Sequence, residues 1–285
     1  MKKIYKLMVA CLMGLTLTNC NDFLDYNPTA VIDEDKAFSE PEKMVNAAYA
    51  MLGDCWFSYP FNLFPYGDIT SDDCLKGGSG TTDTGYHPFE IWSTLTATTP
   101  GEMDELWYRL YCAVSRCNRA LVSLERNGVA KLGSDISEQR IAEVKFLRAH
   151  FYYKLLTVFR QVPWIDEVAY LNNSIEQIPN DEFSYEGLFG KVIADFETAY
   201  NVLPEKQSDG GRVNKIAAAA YLAKCYLGLA WGDGYEATTG VNHINEEYMR
   251  KVVIYTDEVA NSDYDYLEDF GDIFLPDYKN SKESV

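Results

Sequence analysis

The sequence predicts an all-α protein built of tetratricopeptide-like helical hairpins with long irregular loop insertions. Three observations carry this. Past residue 100, apolar side chains recur at helical spacing in one segment after another. Prolines, Pro163 and Pro204 among them, punctuate those segments. Residues 53–104 instead scatter aromatic side chains among Gly, Pro, Asp, Ser and Thr, with no sustained period.

The first element is a leader. Lys2, Lys3 and Lys6 precede a largely apolar run, Leu7 to Leu17, with no carboxylate before Asp22. A basic region followed by roughly 7–15 apolar residues is a secretory signal, too short to span a bilayer stably. Its end, Leu17-Thr18-Asn19-Cys20, resembles a bacterial lipoprotein box, with Asn19 where Gly, Ala or Ser is usual. In such a box the cysteine thiol takes a diacylglyceryl group and becomes the mature N-terminus. Stable anchoring then rests on several acyl chains, since one chain holds weakly.

The irregular stretch comes next and carries Trp56, Phe57, Tyr59, Phe61, Phe64, Tyr66, Tyr86, Phe89 and Trp92. A long insertion of this kind in a compact domain is a candidate functional region. The helices then follow. Trp107, Leu110, Tyr111, Val114, Asn118 and Leu121 share one face; Val144, Leu147, Phe151, Leu155 and Val158 share another. Phe189, Val192, Ile193, Phe196, Ala199 and Tyr200 form a third stripe, ended by Pro204. A fourth helix starts at Asn214, a good N-cap, and its alanines allow a neighbour to approach closely. A fifth runs from about Tyr248 to Ala260. Helices of about 12–18 residues joined by turns fit degenerate hairpin repeats, without a clean period of about 34 residues.

Composition excludes some functions. The chain has 43 acidic and 25 basic side chains, a formal charge of −18, and loss of the leader removes only lysines. That balance argues against nucleic acid and against electrostatic binding to an anionic surface. Cys55, Cys74, Cys112, Cys117 and Cys225 contain no CxxC spacing and form neither a zinc motif nor a disulfide framework; free thiols are expected, with a Cys55–Cys74 bridge conceivable. His87, His150 and His243 are scattered, and neither HExxH nor G-x-S-x-G occurs. Asn261 to Asp272 imitates a calcium loop but has Tyr266 where the glycine belongs and Asp272 where the bidentate glutamate belongs. No cofactor is expected. Glu143 and Arg148, five residues apart on one helix, point in different directions, so each is expected to bond a neighbouring helix or loop. Asn118, on an apolar face, is expected to tie down a loop backbone.

An ordered series of segments resembles the N-terminal half of the SusD/RagB family. It begins with Cys20-Asn-Asp-Phe-Leu-Asp25, Pro28, Phe38-Ser39 and Asn46-Ala-Ala-Tyr49. It continues with Trp107-Tyr-Arg-Leu-Tyr111, Asn118 and the most specific piece, Glu143-Val-Lys-Phe-Leu-Arg-Ala149. Tyr152, Tyr153, Leu156, Val162-Pro163, Asp195-Phe196, Ala199, Leu203-Pro204, Arg212, Asn214-Lys215, Tyr264, Leu267, Phe274, Asn280 and Glu283 complete it.

The resemblance implies a nutrient-binding lipoprotein of the Bacteroidetes outer membrane. Residues 1–19 would be the lipoprotein signal peptide and 20–285 a SusD-like N-terminal helical domain, with the family's C-terminal portion missing. Such a protein, anchored at the cell surface through acyl chains such as palmitate on Cys20, would bind an oligosaccharide or other nutrient and pass it to a SusC-type TonB-dependent porin. It would catalyse nothing and bind no nucleic acid. Trp92, Tyr86 and Phe89 are the candidate ligand contacts, because the family presents aromatics from loops in this region and an aromatic face stacks on the C–H face of a sugar; Trp56 is expected to pack. The competing readings are a secreted glycan hydrolase, whose facing carboxylates sequence alone does not locate, and a protein-binding helical scaffold without ligand affinity. Expressed in a host that processes lipoproteins, the chain is expected to begin at an acylated Cys20 by mass spectrometry, and Cys20→Ser is expected to leave the membrane fraction.

Overall fold

A computed structural model describes residues 34–53, 66–71, 73–78, 86–93, 102–172, 177–232, 235–236, 240–241, 244–278 and 281–283. Cys20, Cys55, Trp56 and His243 lie outside them. Residues 1–37 and 38–285 form separate units. Of the first, residues 34–37 are described, as the start of α1 (Glu34–Phe38).

The second unit is helical, as the periodicity predicts. Its elements are α2 (Pro41–Tyr49), α3 (His87–Glu90), α4 (Glu102–Leu132), α5 (Ser134–Phe159), α6 (Glu167–Leu171), α7 (Tyr185–Val202), α8 (Lys215–Gly232) and α9 (Glu246–Ala260). Two-residue strands, β1 (Tyr235–Glu236) and β2 (Gly240–Val241), pair antiparallel between α8 and α9. Helix α2 packs on α4, α4 on α5, α5 on α7, α7 on α8 and α8 on α9. Each long helix therefore leans on its chain neighbour, which is how stacked hairpins share one continuous core.

Two helices exceed the expected length. Helix α4 has 31 residues and α5 has 26, because the apolar face beginning at Trp107 continues through Leu124 to Leu132. One residue, Gly133, joins them. Its φ of 85° lies where a side chain is strained, and a Cβ there would meet nothing within 4 Å, so only the backbone demands glycine. At Gly128 the demand is packing: a Cβ would lie 2.3 Å from Ser137 Oγ on α5.

Helix ends follow local chemistry. Ser184 caps α7, accepting from the Gly187 amide. Asn214 caps α8 through Oδ1 on the Ala217 amide at 2.9 Å, while its amide donates to Tyr264 Oη at 2.7 Å. The fifth predicted helix starts two residues before Tyr248, at Glu246, because Asn245 caps it. Helix α5 stops before Pro163. Arg160 (φ 61°, ψ −61°) forms a γ-turn in which the Gln161 amide donates to Phe159 O at 2.6 Å. The Arg160 guanidinium lies 4.7 Å from the Tyr185 ring centre.

Two polar networks cross the core. Arg148 sits on α5 beneath the connection from α5 to α6. It grips Asp195 of α7 bidentately, Nε to Oδ2 at 2.7 Å and Nη2 to Oδ1 at 3.0 Å. Its Nη1 donates to Asn118 Oδ1 at 3.1 Å and to Glu167, and the guanidinium lies 5.5 Å from the Trp164 ring centre. Asn118 passes the bond on, donating to Ile165 O at 2.9 Å, as expected of a buried amide. Burial disfavours the Arg148 charge, but Asp195 and then Glu167 outweigh it and raise its pKa. Burial raises the Asp195 pKa, opposed by the same guanidinium.

The second network centres on Glu143, a fully buried carboxylate one and a half turns earlier on α5. It accepts from Tyr49 Oη (3.0 Å), Arg140 (2.7 Å), Arg212 (2.8 Å) and Gln207 (3.2 Å). Glu42 of α2 closes the ring, pairing with Arg140 at 2.9 Å and Arg212 at 2.6 Å. Helix α2, helix α5 and the 203–214 connection are thus held at one point. His150 is partly buried, with Nδ1 2.6 Å from Tyr221 Oη, and burial pushes its pKa down to about 3, so it packs as a neutral ring.

Two stability predictions follow from this packing. Asp195→Ala strands a buried guanidinium and is expected to destabilise the fold by ~3–5 kcal/mol in urea unfolding, with Arg148→Met/Asp195→Leu recovering much of the loss. Gly133→Ala is expected to cost ~1–3 kcal/mol in the same assay, all of it backbone strain.

Candidate functional site

Within the aromatic insertion, described residues 86–93 form a turn around α3. Tyr86 O accepts from the Phe89 amide at 3.1 Å and the Glu90 amide at 3.3 Å, and Pro88 O accepts from the Ser93 amide at 3.1 Å. Phe89 is buried, its ring edge-on to Tyr66 at 5.3 Å between centres. Phe89, one of the three expected ligand contacts, is thus placed inside the turn, where its ring roots it. Tyr86 is half-buried beside it. Trp92 is different. It is 76% exposed, and its φ of 52° puts a bulky residue in left-handed backbone. Such a conformation costs about 1–2 kcal/mol. The Trp92 ring is displayed to solvent and not packed.

A second concave feature was not singled out from sequence. A groove of about 410 Å³ runs between α4 and the segment that Arg148 and Asn118 hold down. Trp107, Tyr108, Tyr111 and Tyr170 supply aromatic walls, with Pro163 and Ile165 opposite α4. Tyr111 Oη donates to Pro163 O at 2.8 Å, and Tyr152 Oη to Ile165 O at 3.1 Å, so the loop carbonyls are already engaged. The face that predicted α4 supplies Trp107, Tyr111, Val114 and Asn118 to this groove, while Tyr108 stands off that stripe.

Further clefts lie among the described residues. One of about 610 Å³ lies between α8, α9 and residues 264–266 and 282–283. A polar one of about 320 Å³ includes Lys206, Arg212, Asp263 and Lys282. The carboxylates of the calcium-loop look-alike are employed otherwise. Asp263 pairs with Lys206 at 2.8 Å, Asp265 with Lys282 at 3.3 Å, and Asp269 caps the turn Phe270–Phe274. Among the described residues, no three His, Cys, Asp or Glu side chains are grouped to hold a metal. Cys74, Cys112, Cys117 and Cys225 are free thiols. Burial pushes Cys117 up to about 12 and Cys225 upward as well, so both are inert packing groups. No helix among the described residues is long and apolar enough to cross a membrane.

Comparison with known proteins agrees with this architecture. A SusD-like family model, described as starch-binding associating with outer membrane, matches residues 22–227. A SusD-like protein of Bacteroides ovatus is 25% identical over 286 residues, covering 98% of this chain and 48% of the relative. A SusD-like protein of Formosa agariphila is 28% identical over 236 residues, covering 80% of this chain and 43% of its own length. Among solved structures, a laminarin-binding SusD-like protein superposes with a TM-score of 0.63 at 22% identity, over 84% of this chain and 48% of that one. A structure with a xylogluco-oligosaccharide gives 0.61 at 25% identity, over 84% and 44%. The chain spans about half the length of the curated relatives it matches. With the family model covering most of the residues and the hairpin fold shared, this chain belongs to the SusD/RagB family.

Proposed function

We propose that this chain serves as a glycan-capturing lipoprotein at the outer-membrane surface, and that Trp92 is its principal ligand contact. The observation that carries the reading is Trp92 itself: exposed, conformationally strained and rooted by the buried Phe89. Family membership supports the ligand class, since one solved relative binds laminarin and another is seen with a xylogluco-oligosaccharide.

The physical action is binding without chemistry. The indole face stacks on the C–H face of a sugar ring, removing apolar surface from water on both sides. Tyr86, half-buried at the start of the same turn, is the second contact in this reading. The turn is pre-formed by its own hydrogen bonds, so little ordering opposes association. Lipid on Cys20 tethers the protein to the outer membrane, and a SusC-type TonB-dependent porin receives the captured glycan. The acidic surface suits a neutral ligand better than a polyanionic one.

The test uses Trp92→Gly, which removes the ring and relieves the backbone. Calorimetric titration with laminari- and xylogluco-oligosaccharides is expected to show an affinity loss of about tenfold, near the upper range for one aromatic platform. The unfolding midpoint is expected to stay level or rise, because glycine accepts positive φ. Unchanged affinity, or release of shorter sugars by the wild-type protein, would count against the reading.

A further inference from the structure

We infer that the groove between α4 and residues 163–170 is a second sugar-binding subsite, for a neutral pyranose ring stacked on Tyr108. The inference rests on the glycan-binding reading above and adds a site to it.

Four features of the groove select this ligand. Its volume, about 410 Å³, lies at the lower end of the roughly 300–1,000 Å³ usual for ligand pockets, which suits a ligand of one or two rings. No Lys, Arg, Asp or Glu lines it, so neither a uronate nor a sulfated sugar finds a counter-charge there. A peptide strand is also poorly served. The Pro163 and Ile165 carbonyls, which would accept its amides, already bind Tyr111, Asn118 and Tyr152. What remains is aromatic faces and hydroxyls. Tyr108 is 63% exposed, with the half-buried Tyr111 and Cys112 one turn on. Cys112, one turn further along the helix, lines the same groove. Ser115 offers a hydroxyl that can donate or accept, matching sugar hydroxyls.

The groove is also rigid. Its far wall is the segment locked by Arg148, through Asn118 on Ile165 O and Glu167 at the start of α6. A sugar entering it meets a wall already held by hydrogen bonds, which favours binding by a modest number of contacts.

The full chain is titrated with laminari- and xylogluco-oligosaccharides as wild type, Trp92→Ala and Tyr108→Ala. Tyr108 is exposed, so its truncation leaves the core intact, and circular dichroism checks this. Tyr108→Ala is expected to weaken at least one of the two glycans by about three- to tenfold, the effect of one aromatic face. Iodoacetamide labelling, mapped by mass spectrometry, locates the effect. Glycan at a few times the wild-type Kd is expected to slow Cys112 alkylation several-fold in the wild type and clearly less in Tyr108→Ala, with Cys74, outside the groove, as internal reference. Wild-type affinity in Tyr108→Ala overturns the subsite, as does glycan binding that leaves Cys112 alkylation unchanged. If Trp92→Ala alone loses affinity, the subsite fails while the function stands. If the wild type binds neither glycan, both fail.

Discussion

A guanidinium buried among helices has to be paired on every side, and much of this fold is arranged around meeting that requirement for Arg148. Asp195 satisfies it from α7, Asn118 from α4 and Glu167 from the start of α6. The pair contributes little net stability by itself, because desolvation offsets attraction. Its effect is selection. Register shifts of α4, α5 or α7 would leave a charge or an amide unpaired in the core, so the alternatives are costly where the native arrangement is merely neutral.

The Glu143 network does the same on the other side of α5. A carboxylate with no exposure accepts from two arginines, a tyrosine and a glutamine, and so holds α2 and the 203–214 connection. Between them, the networks explain how hairpins without a regular repeat stack in one way. They also bear on where the groove and the exposed indole arise. The groove beside Tyr108 exists because the chain after α5 is tied down at its carbonyls. Trp92 stands out because Phe89 roots a short turn and the backbone at 92 is held in left-handed conformation.

Much of this was legible beforehand. Apolar stripes located the long helices, and Asn214 named the start of α8 by its capping chemistry. Helix geometry alone separated Glu143 from Arg148 and sent each to a different partner, as observed. Asn118 on an apolar face implied a backbone partner, and Ile165 is that partner. Other features left no local trace. Nothing in the spacing of Gly128 to Ser137 reveals that α4 and α5 approach too closely for a Cβ. Arg160 carries no sequence mark of a γ-turn, so Pro163 drew attention three residues too late. Phe89 and Trp92 read alike in sequence, three residues apart among loop aromatics, yet one is buried and the other displayed.

The sequence by itself therefore determined the helical class, the order of its hairpins and the family. These depend on periodicity, capping and local motif, which are properties of neighbouring residues. Tertiary structure alone decided which aromatic faces meet solvent, which carbonyls are spent, and where a groove opens beside Tyr108. Those depend on contacts between residues far apart in the chain, and burial is a property of the packed fold that no single segment encodes.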